Sequence, residues 1–246
     1  MYAVEASRIS TVAKAVFEAN QLADRITLVP GWSTQIDLPE RANVLVSEII
    51  GNEPLGENVL EVTRDAVKRL LTPDARLIPS RLRVMGLAVS IPHDEMAKRT
   101  FTEEALRDWQ SWYDMSFEPL AKAAQAAPCF FFVKPYQARN WRAFSEPITL
   151  ADIDFRDTGQ LTIKNTIPVI ATASGHLNGF LIYFDLQLGS DVWLSSHPLQ
   201  VESSCSWRVV VWILADSLRV EPGAPLSVTY EYSGVRSNSR IGVASA

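Results

Sequence analysis

Apolar positions recur with two different periods along the chain, and the change between them divides the sequence into two halves. From Met1 to about Ser80, short continuous apolar runs alternate with segments whose apolar residues repeat every three or four positions. Tyr2–Val4 is typical of a short strand, and the runs Ile26–Val29 and Val44–Val46 are typical of strands covered on both faces. The segments between them are typical of amphipathic helices. The alternation predicts βα units that stack into a mostly parallel sheet.

Two helices belong to this first half. Ser7 is a suitable N-cap for the first helix, and Asn20 is a suitable end. The apolar residues of the first helix fall on one face at helical spacing: Ile9, Val12, Ala13, Val16 and Phe17. The second helix is predicted over Glu57–Leu71, with an inward face made of Leu60, Val67, Leu70 and Leu71.

The second half is dominated by strand patterns. The segment Thr102–Ala127 comes first, and its Ala, Leu, Glu, Trp and Met content predicts one or two helices, broken near Pro119. Beyond it, Phe180–Gln187 alternates apolar with less apolar residues, and Val209–Leu214 is apolar on both faces. Strands of this kind separated by turns predict an antiparallel β-sandwich or β-barrel.

Composition narrows the class of protein. The chain has 246 residues, with 47% hydrophobic and 21% charged, which suits one large globular domain or, as we expect, two modest ones. No apolar run approaches the ~20 residues that span a bilayer, and no export signal is visible. Cys129 and Cys205 lie far apart without histidine or cysteine companions, which argues against zinc or a disulfide framework and favours the cytoplasm. A net charge of −5 argues against broad contact with nucleic acid or anionic lipid.

Acidic residues follow two of the predicted strands. In an open α/β sheet, ligands bind outside the carboxyl ends of the strands. Glu5 follows the first strand, where an acid can accept hydrogen bonds from both hydroxyls of a ribose. Position alone favours the simpler interpretation, in which Glu5 is a solvated residue at the start of a loop.

A second acidic segment follows the strand Val44–Val46. Glu48 comes directly after this strand and its Ser47, and Glu57 lies nine positions later at the predicted start of the second helix. The helix dipole would favour Glu57 there without any catalytic role. Glu53 is a third carboxylate in the same loop, and its spacing does not tell whether it faces a pocket or water.

Motifs across nearly the whole chain occur in an order and at distances that resemble one known family. They are Tyr2-Ala3-Val4-Glu5-Ala6-Ser7, Ile36-Asp37-Leu38-Pro39, Val44-Leu45-Val46-Ser47-Glu48, Gly56-Glu57, Leu77-Ile78-Pro79-Ser80, Trp112-Tyr113-Asp114-Met115-Ser116, Tyr183-Phe184-Asp185 and Trp207-Arg208. Together they resemble the protein arginine methyltransferase family. The sequence of residues 41–48 is most similar to the monomethylating, type III branch of that family.

The resemblance implies a fold and an activity. It implies a partial Rossmann-like domain binding S-adenosylmethionine over residues 1–80, and a β-barrel substrate domain over residues 81–246. It also implies a helical arm at about 94–127 that forms a homodimer, the alternative being a helical layer within one chain. The implied activity is transfer of a methyl group to arginine in proteins. A catalytically silent interaction module and a methyltransferase with a small-molecule acceptor remain as alternatives.

The resemblance also assigns residues. Glu48 and Glu57 would be the paired catalytic glutamates that clamp the substrate guanidinium, with Trp207 on the substrate side and no metal. The guanidinium is planar and stays protonated, so two carboxylates can hold it bidentately and draw charge from the attacking nitrogen. The implied cofactor-binding set is Glu5, Ala6, Ser33, Thr34 and Glu48.

Two features depart from the family pattern. None of the eleven glycines forms the Gly-x-Gly turn that class I methyltransferases carry one strand before the ribose-binding acid. Because the paired glutamates are intact, we expect a fragment or a displaced start rather than a degenerate relative. The family's Thr-His-Trp loop is Cys205-Ser206-Trp207 here, without the histidine. His197 is a candidate substitute, although a histidine beside a proline is more often an exposed loop residue.

Overall fold

The first half of the chain forms two separate pairs of parallel strands. In a computed structural model, which describes residues 1–125, 129–157, 159, 161–234 and 238–246, β1 (Tyr2–Glu5) pairs with β2 (Thr27–Pro30). Similarly, β3 (Ala42–Val46) pairs with β4 (Leu71–Ile78). A helix connects the strands of each pair: α1 (Ile9–Ala19) in the first and α2 (Val59–Arg69) in the second. Each pair is therefore a βαβ unit, as the alternating pattern predicted.

The prediction that these strands are covered on both faces is wrong. Val44 is 47% exposed and Val46 is 73% exposed. The predicted apolar face of α1 is also uncovered, because Ile9 and Val12 are each 54% exposed and the helix buries none of its side chains. The reason is that each sheet contains two strands, so no broad sheet is present for a helix to pack on.

The second helix packs inward as predicted but starts later. Leu60 is buried and Val67 packs at the edge of the core. The helix also ends earlier than predicted, at Arg69, so the buried Leu70 and Leu71 lie beyond it, with Leu71 opening β4. Asn58 adopts a left-handed conformation with φ of 56°, so α2 begins at Val59. The prediction that Glu57 opens this helix is therefore wrong, and Glu57 belongs to the loop.

The second half consists of antiparallel strands in two sheets. A seven-stranded sheet has the order β6-β12-β10-β5-β7, with β8 also paired to β5 and β11 to β10, and a three-stranded sheet has the order β14-β13-β9. The strands are β5 (Arg81–Ser90), β6 (Cys129–Val133), β7 (Arg142–Ala143), β8 (Ile148–Asp154), β9 (Thr162–Ile170), β10 (Gly175–Gln187), β11 (Trp193–Ser195), β12 (Val209–Val220), β13 (Pro225–Ser233) and β14 (Asn238–Ser245). A short 3₁₀ helix, Pro135–Gln137, follows β6.

The central strands of the large sheet are buried on both faces. Phe180, Ile182 and Phe184 of β10 join a large core, whereas Leu181 and Tyr183 point to a smaller core on the opposite face. Side chains alternate between faces because the strand repeats every two residues. The large core also includes residues of the first half and of the small sheet, and so it joins the two halves of the chain.

The helical segment between the halves contains three short helices. They are α3 (His93–Ala97), α4 (Glu103–Tyr113) and α5 (Glu118–Gln125). The predicted break near Pro119 is displaced: the chain turns after Tyr113, at left-handed Asp114, and Pro119 lies in the first turn of α5, where its missing N–H is tolerated. Ala126 and Ala127 lie outside the described residues. None of the described helices is long and apolar enough to cross a membrane.

Candidate active site

The loop between β3 and α2 carries Glu48 at one end and Glu57 at the other. Both glutamates are exposed. The middle of the loop is anchored, because Ile50 is 4% exposed and Leu55 is fully buried in the large core. Burial of these apolar side chains holds the loop down while its two terminal carboxylates remain in contact with solvent.

Trp207 and Arg208 hold the first part of this loop from the β-rich half. The indole N–H of Trp207 donates to the Ile50 carbonyl at 2.8 Å, and the Trp207 ring packs edge-on against Phe184. The backbone N–H of Arg208 donates to the Asn52 side-chain oxygen at 2.7 Å. The structure therefore brings the predicted Trp207 to the glutamate loop, although more than 150 residues separate them along the chain.

Tyr232 holds the second part of the loop. Its hydroxyl donates to the Leu55 carbonyl at 3.0 Å, and both residues are buried. At the start of the loop, the Ser47 N–H donates to the carbonyl of Ile78 in β4 at 2.9 Å. The loop is thus tied to β4 just before Glu48 and to the β-rich half between the two glutamates.

Gly51 leaves room for the Glu57 side chain. A Cβ atom built on Gly51 would stand 3.0 Å from Glu57 Oε1, so the Glu57 carboxylate folds back over the first part of the loop. Sequence reasoning missed this role, because a single glycine among turn-forming residues gives no signal of what lies above it.

Glu53, whose direction the sequence left open, faces the small β-sheet. Part of its side chain is exposed, but its Oε1 atom is sealed from solvent and has no hydrogen-bond partner among the described residues. Burial raises the pKa of Glu53 to about 7, and the Ser239 hydroxyl and the Leu55 backbone offset part of this rise. Glu53 therefore lies in an environment unlike that of its exposed neighbours Glu48 and Glu57.

The proposed ribose-binding acid lies at the carboxyl end of β1. Glu5 accepts a hydrogen bond from the Ser7 N–H at 2.7 Å, and its hydrogen bonds with Ser7 lower the pKa of its carboxyl group. The adjacent Ala6 is exposed. The position and charge of Glu5 suit an acceptor of hydroxyl hydrogen bonds.

Ser33 and Thr34 follow β2, the strand next to β1. Thr34 is exposed, and the Ser33 carbonyl accepts a hydrogen bond of 2.9 Å from Arg69, the last residue of α2. Arg69 also pairs with Asp65, the two charged groups lying 2.6 Å apart, and donates to the Ile36 carbonyl at 2.9 Å. The helix that follows Glu57 is thereby tied to the segment carrying Ser33. Glu5 itself lies in the other strand pair from Glu48.

His197 does not take the place of the missing histidine beside Trp207. It is 9% exposed and packs edge-on against Tyr183, with ring centroids 4.8 Å apart, so the expectation of an exposed loop residue is also wrong. Tyr183 and Phe184 are successive residues of β10 and point to opposite faces, and Trp207 packs on Phe184. Ser206, beside Trp207, is exposed.

Comparison with known proteins gives consistent results. Residues 94–242 match the family model described as the arginine methyltransferase oligomerization subdomain. Protein arginine N-methyltransferase 1 of Schizosaccharomyces pombe is 25% identical, over 98% of this chain and 68% of its own length. Histone-arginine methyltransferase CARMER of Anopheles gambiae is 28% identical, over 92% of this chain but only 36% of its own length.

A solved structure shares the fold. The Trypanosoma brucei PRMT1 enzyme-prozyme heterotetrameric complex with AdoHcy superposes with a TM-score of 0.79 at 19% identity, covering 98% of this chain and 75% of that chain. The family model alone matches more than half of the 246 residues. The chain belongs to the protein arginine methyltransferase family.

Proposed function

We propose that this chain carries the active-site glutamates of an S-adenosylmethionine-dependent methyltransferase that acts on arginine in proteins. The observation that supports this most directly is the loop between β3 and α2. It exposes a carboxylate at each end, Glu48 and Glu57, while its backbone is hydrogen-bonded to the β-rich half. The names of the two relatives, an arginine methyltransferase and a histone-arginine methyltransferase, support the same reaction.

The chemistry needs two carboxylates. A guanidinium stays protonated at neutral pH, and its planar fork matches carboxylate oxygens. Glu48 and Glu57 would orient this group and draw its positive charge away from the nitrogen that attacks. They would also offset the repulsion between the substrate guanidinium and the sulfonium of the methyl donor. This repulsion is about 4 kcal/mol at ~4 Å for an effective dielectric of ~20. The bound S-adenosylmethionine supplies the electrophilic methyl group.

Five residues would hold the cofactor on this chain: Glu5, Ala6, Ser33, Thr34 and Glu48. The ionised carboxylate of Glu5, at the carboxyl end of a parallel strand, fits the ribose hydroxyls. The Gly-x-Gly turn that would let a backbone approach the cofactor closely is not among these 246 residues. The residues present therefore fit the ribose and adenine side of the cofactor.

The domain roles follow from the same proposal. Residues 1–80 would serve the cofactor and residues 81–246 the protein substrate, in the cytoplasm. The arm at about 94–127 would bind a second copy of the chain, because Trp112, Tyr113 and Met115 expose 67%, 62% and 59% of their surfaces. The name of the matching family model and the heterotetramer of the Trypanosoma brucei enzyme support an oligomer. Sedimentation of Trp112→Ser against the wild type tests this, since an unchanged dimer would exclude the arm.

Glutamine substitutions test the proposed clamp in the natural protein. Glu48→Gln and Glu57→Gln keep the shape of the side chain but remove its charge, and each should lower kcat for labelled methyl transfer to a histone-tail peptide at least ~100-fold. Glu146→Gln, at another exposed glutamate, is the control. Full turnover in either clamp variant would refute the assignment.

The same assay separates the alternatives. Transfer to free arginine but not to the peptide would replace the protein acceptor by a small molecule. Absence of transfer to either acceptor, with the peptide still bound, would indicate a catalytically silent binding module.

A further inference from the structure

We propose that Glu53 is a positioning residue of the arginine clamp: in its neutral form it is held under β13 and β14 and keeps the loop between Glu48 and Glu57 in place. This inference rests on the proposed function of that loop. It concerns the one glutamate of the loop to which the clamp itself gives no role.

The surroundings of Glu53 favour a neutral carboxyl group. Its Oε1 atom is sealed from solvent without a hydrogen-bond partner among the described residues, and none of the groups that act on it is a cation. A carboxylate with one oxygen sealed from solvent and unpaired is unfavourable, whereas a protonated carboxyl group carries no net charge. The loop would then carry two negative charges, both at the clamp, rather than three.

The polar side chains near Glu53 come from the small sheet, and the Leu55 backbone of its own loop also acts on its carboxyl group. Tyr230 and Tyr232 belong to β13, and Ser239 belongs to β14. Tyr230 is fully buried, and its hydroxyl also lacks a hydrogen-bond partner among the residues that the structure describes. Tyr232 donates to Leu55, two residues from Glu53. The Ser239 hydroxyl offsets part of the rise in the pKa of Glu53, but neither tyrosine nor Ser239 carries a positive charge, so burial remains the larger effect and favours the neutral carboxyl group.

Glu53 is also packed tightly within its own loop. Its carbonyl accepts a hydrogen bond from the Gly56 N–H at 2.9 Å, and a Cβ atom on Gly56 would stand 3.1 Å from the Glu53 Cβ. Glu57 follows Gly56 directly. The Glu53 side chain therefore lies close to the backbone next to one of the clamp carboxylates.

The pKa of about 7 places the change of charge within the working range of an enzyme. With this pKa, about ten molecules in eleven have a neutral Glu53 at pH 6 and about one in eleven at pH 8. If only the neutral form holds the loop in its active position, kcat/KM falls about tenfold between these two pH values. The substrate guanidinium does not titrate in this range.

The decisive variant is Glu53→Gln, which keeps the shape of the side chain and is neutral at every pH. In the natural protein, kcat/KM for methyl transfer to an arginine peptide is measured from pH 6 to pH 9, together with hydrogen-exchange protection of residues 49–57. We expect the wild type to lose activity and loop protection together above pH 7, and Glu53→Gln to lose this pH step in both measurements. Glu146→Gln should keep the wild-type step.

Two results would overturn the proposal. One is a pH step of wild-type size in Glu53→Gln, and the other is a wild-type loop whose protection is unchanged between pH 6 and pH 8. Hydrogen exchange does not depend on methyl transfer. A pH step in loop protection that vanishes in Glu53→Gln would therefore uphold Glu53 as the positioning residue of this loop, even if Glu48→Gln retained full turnover. That combination would refute the clamp alone.

Discussion

Replacing Tyr232 with Phe removes one hydroxyl group from β13 and leaves the aromatic ring in place. The hydroxyl donates to the Leu55 carbonyl at 3.0 Å, and both residues are at most 2% exposed. The Leu55 carbonyl would lose this donor at a site closed to water. Tyr230→Phe makes the same chemical change two residues away, but the Tyr230 hydroxyl is buried without a hydrogen-bond partner among the described residues.

The two substitutions should therefore change the free energy of unfolding by clearly different amounts, and Tyr232→Phe should be the more destabilising. Leaving a buried hydrogen-bonding group without its partner costs about 1–3 kcal/mol. For Tyr232→Phe we expect the free energy of unfolding to fall by about 2 kcal/mol, which lowers Tm by about 4–8 °C in a chain of this length. Tyr230→Phe removes a group that is already desolvated and unpaired, so its effect should lie between neutral and a gain of about 1 kcal/mol.

Urea denaturation followed by tryptophan fluorescence measures both variants against the wild type. The buffer should be at pH 6, where Glu53 is mostly neutral in the folded chain and contributes equally to all three proteins. Hydrogen exchange at residues 49–57 shows where the loss arises, because Tyr232→Phe should expose the loop more than Tyr230→Phe does. If Tyr230→Phe proved the more destabilising of the two, the assignment of the Tyr232 hydroxyl as the tie that holds the loop would be refuted.

Three further predictions concern single positions. Below pH 4.5 Glu53 is protonated both folded and unfolded, and between 4.5 and about 7 only the folded chain keeps the proton. The free energy of unfolding should thus fall as pH rises through this window, by up to about 3 kcal/mol at 1.4 kcal/mol per pKa unit. Denaturation of Glu53→Gln at pH 5 and pH 8 should lack this pH-dependent loss of stability. Gly86→Ala drives a methyl group into the Phe180 ring and should cost about 1–3 kcal/mol in urea denaturation, whereas Gly242→Ala meets only ordinary contacts and should stay within about 0.5 kcal/mol. Gly51→Ala displaces the Glu57 carboxylate and should lower kcat/KM for methyl transfer several-fold while Tm hardly changes. A clear fall in Tm together with the fall in kcat/KM would contradict the role of Gly51, because it would point to a general loss of stability.

Part of the candidate site was predictable because it depends on local sequence. The strand patterns placed Glu5 at the end of β1 and Glu48 two residues after β3, at carboxyl ends where α/β folds bind ligands. The start of α2 was predicted two residues early, since the left-handed conformation of Asn58 depends on how the loop enters the core. Glu53 could not be placed, because its spacing in the loop is the same whether it faces water or β13.

The sequence by itself determined the types of the elements, the antiparallel character of the second half and the family. Each of these follows from side-chain periodicity and local motifs, which act over a few residues. Only the tertiary structure decided that Trp207 and Tyr232 hold the glutamate loop, that the Glu53 Oε1 atom is sealed from solvent and that the α1 face stays exposed. These features depend on contacts between residues far apart in the chain. The hydrophobic pattern of the sequence could not predict them, because it indicates which side chains can be buried but not which neighbours will cover them.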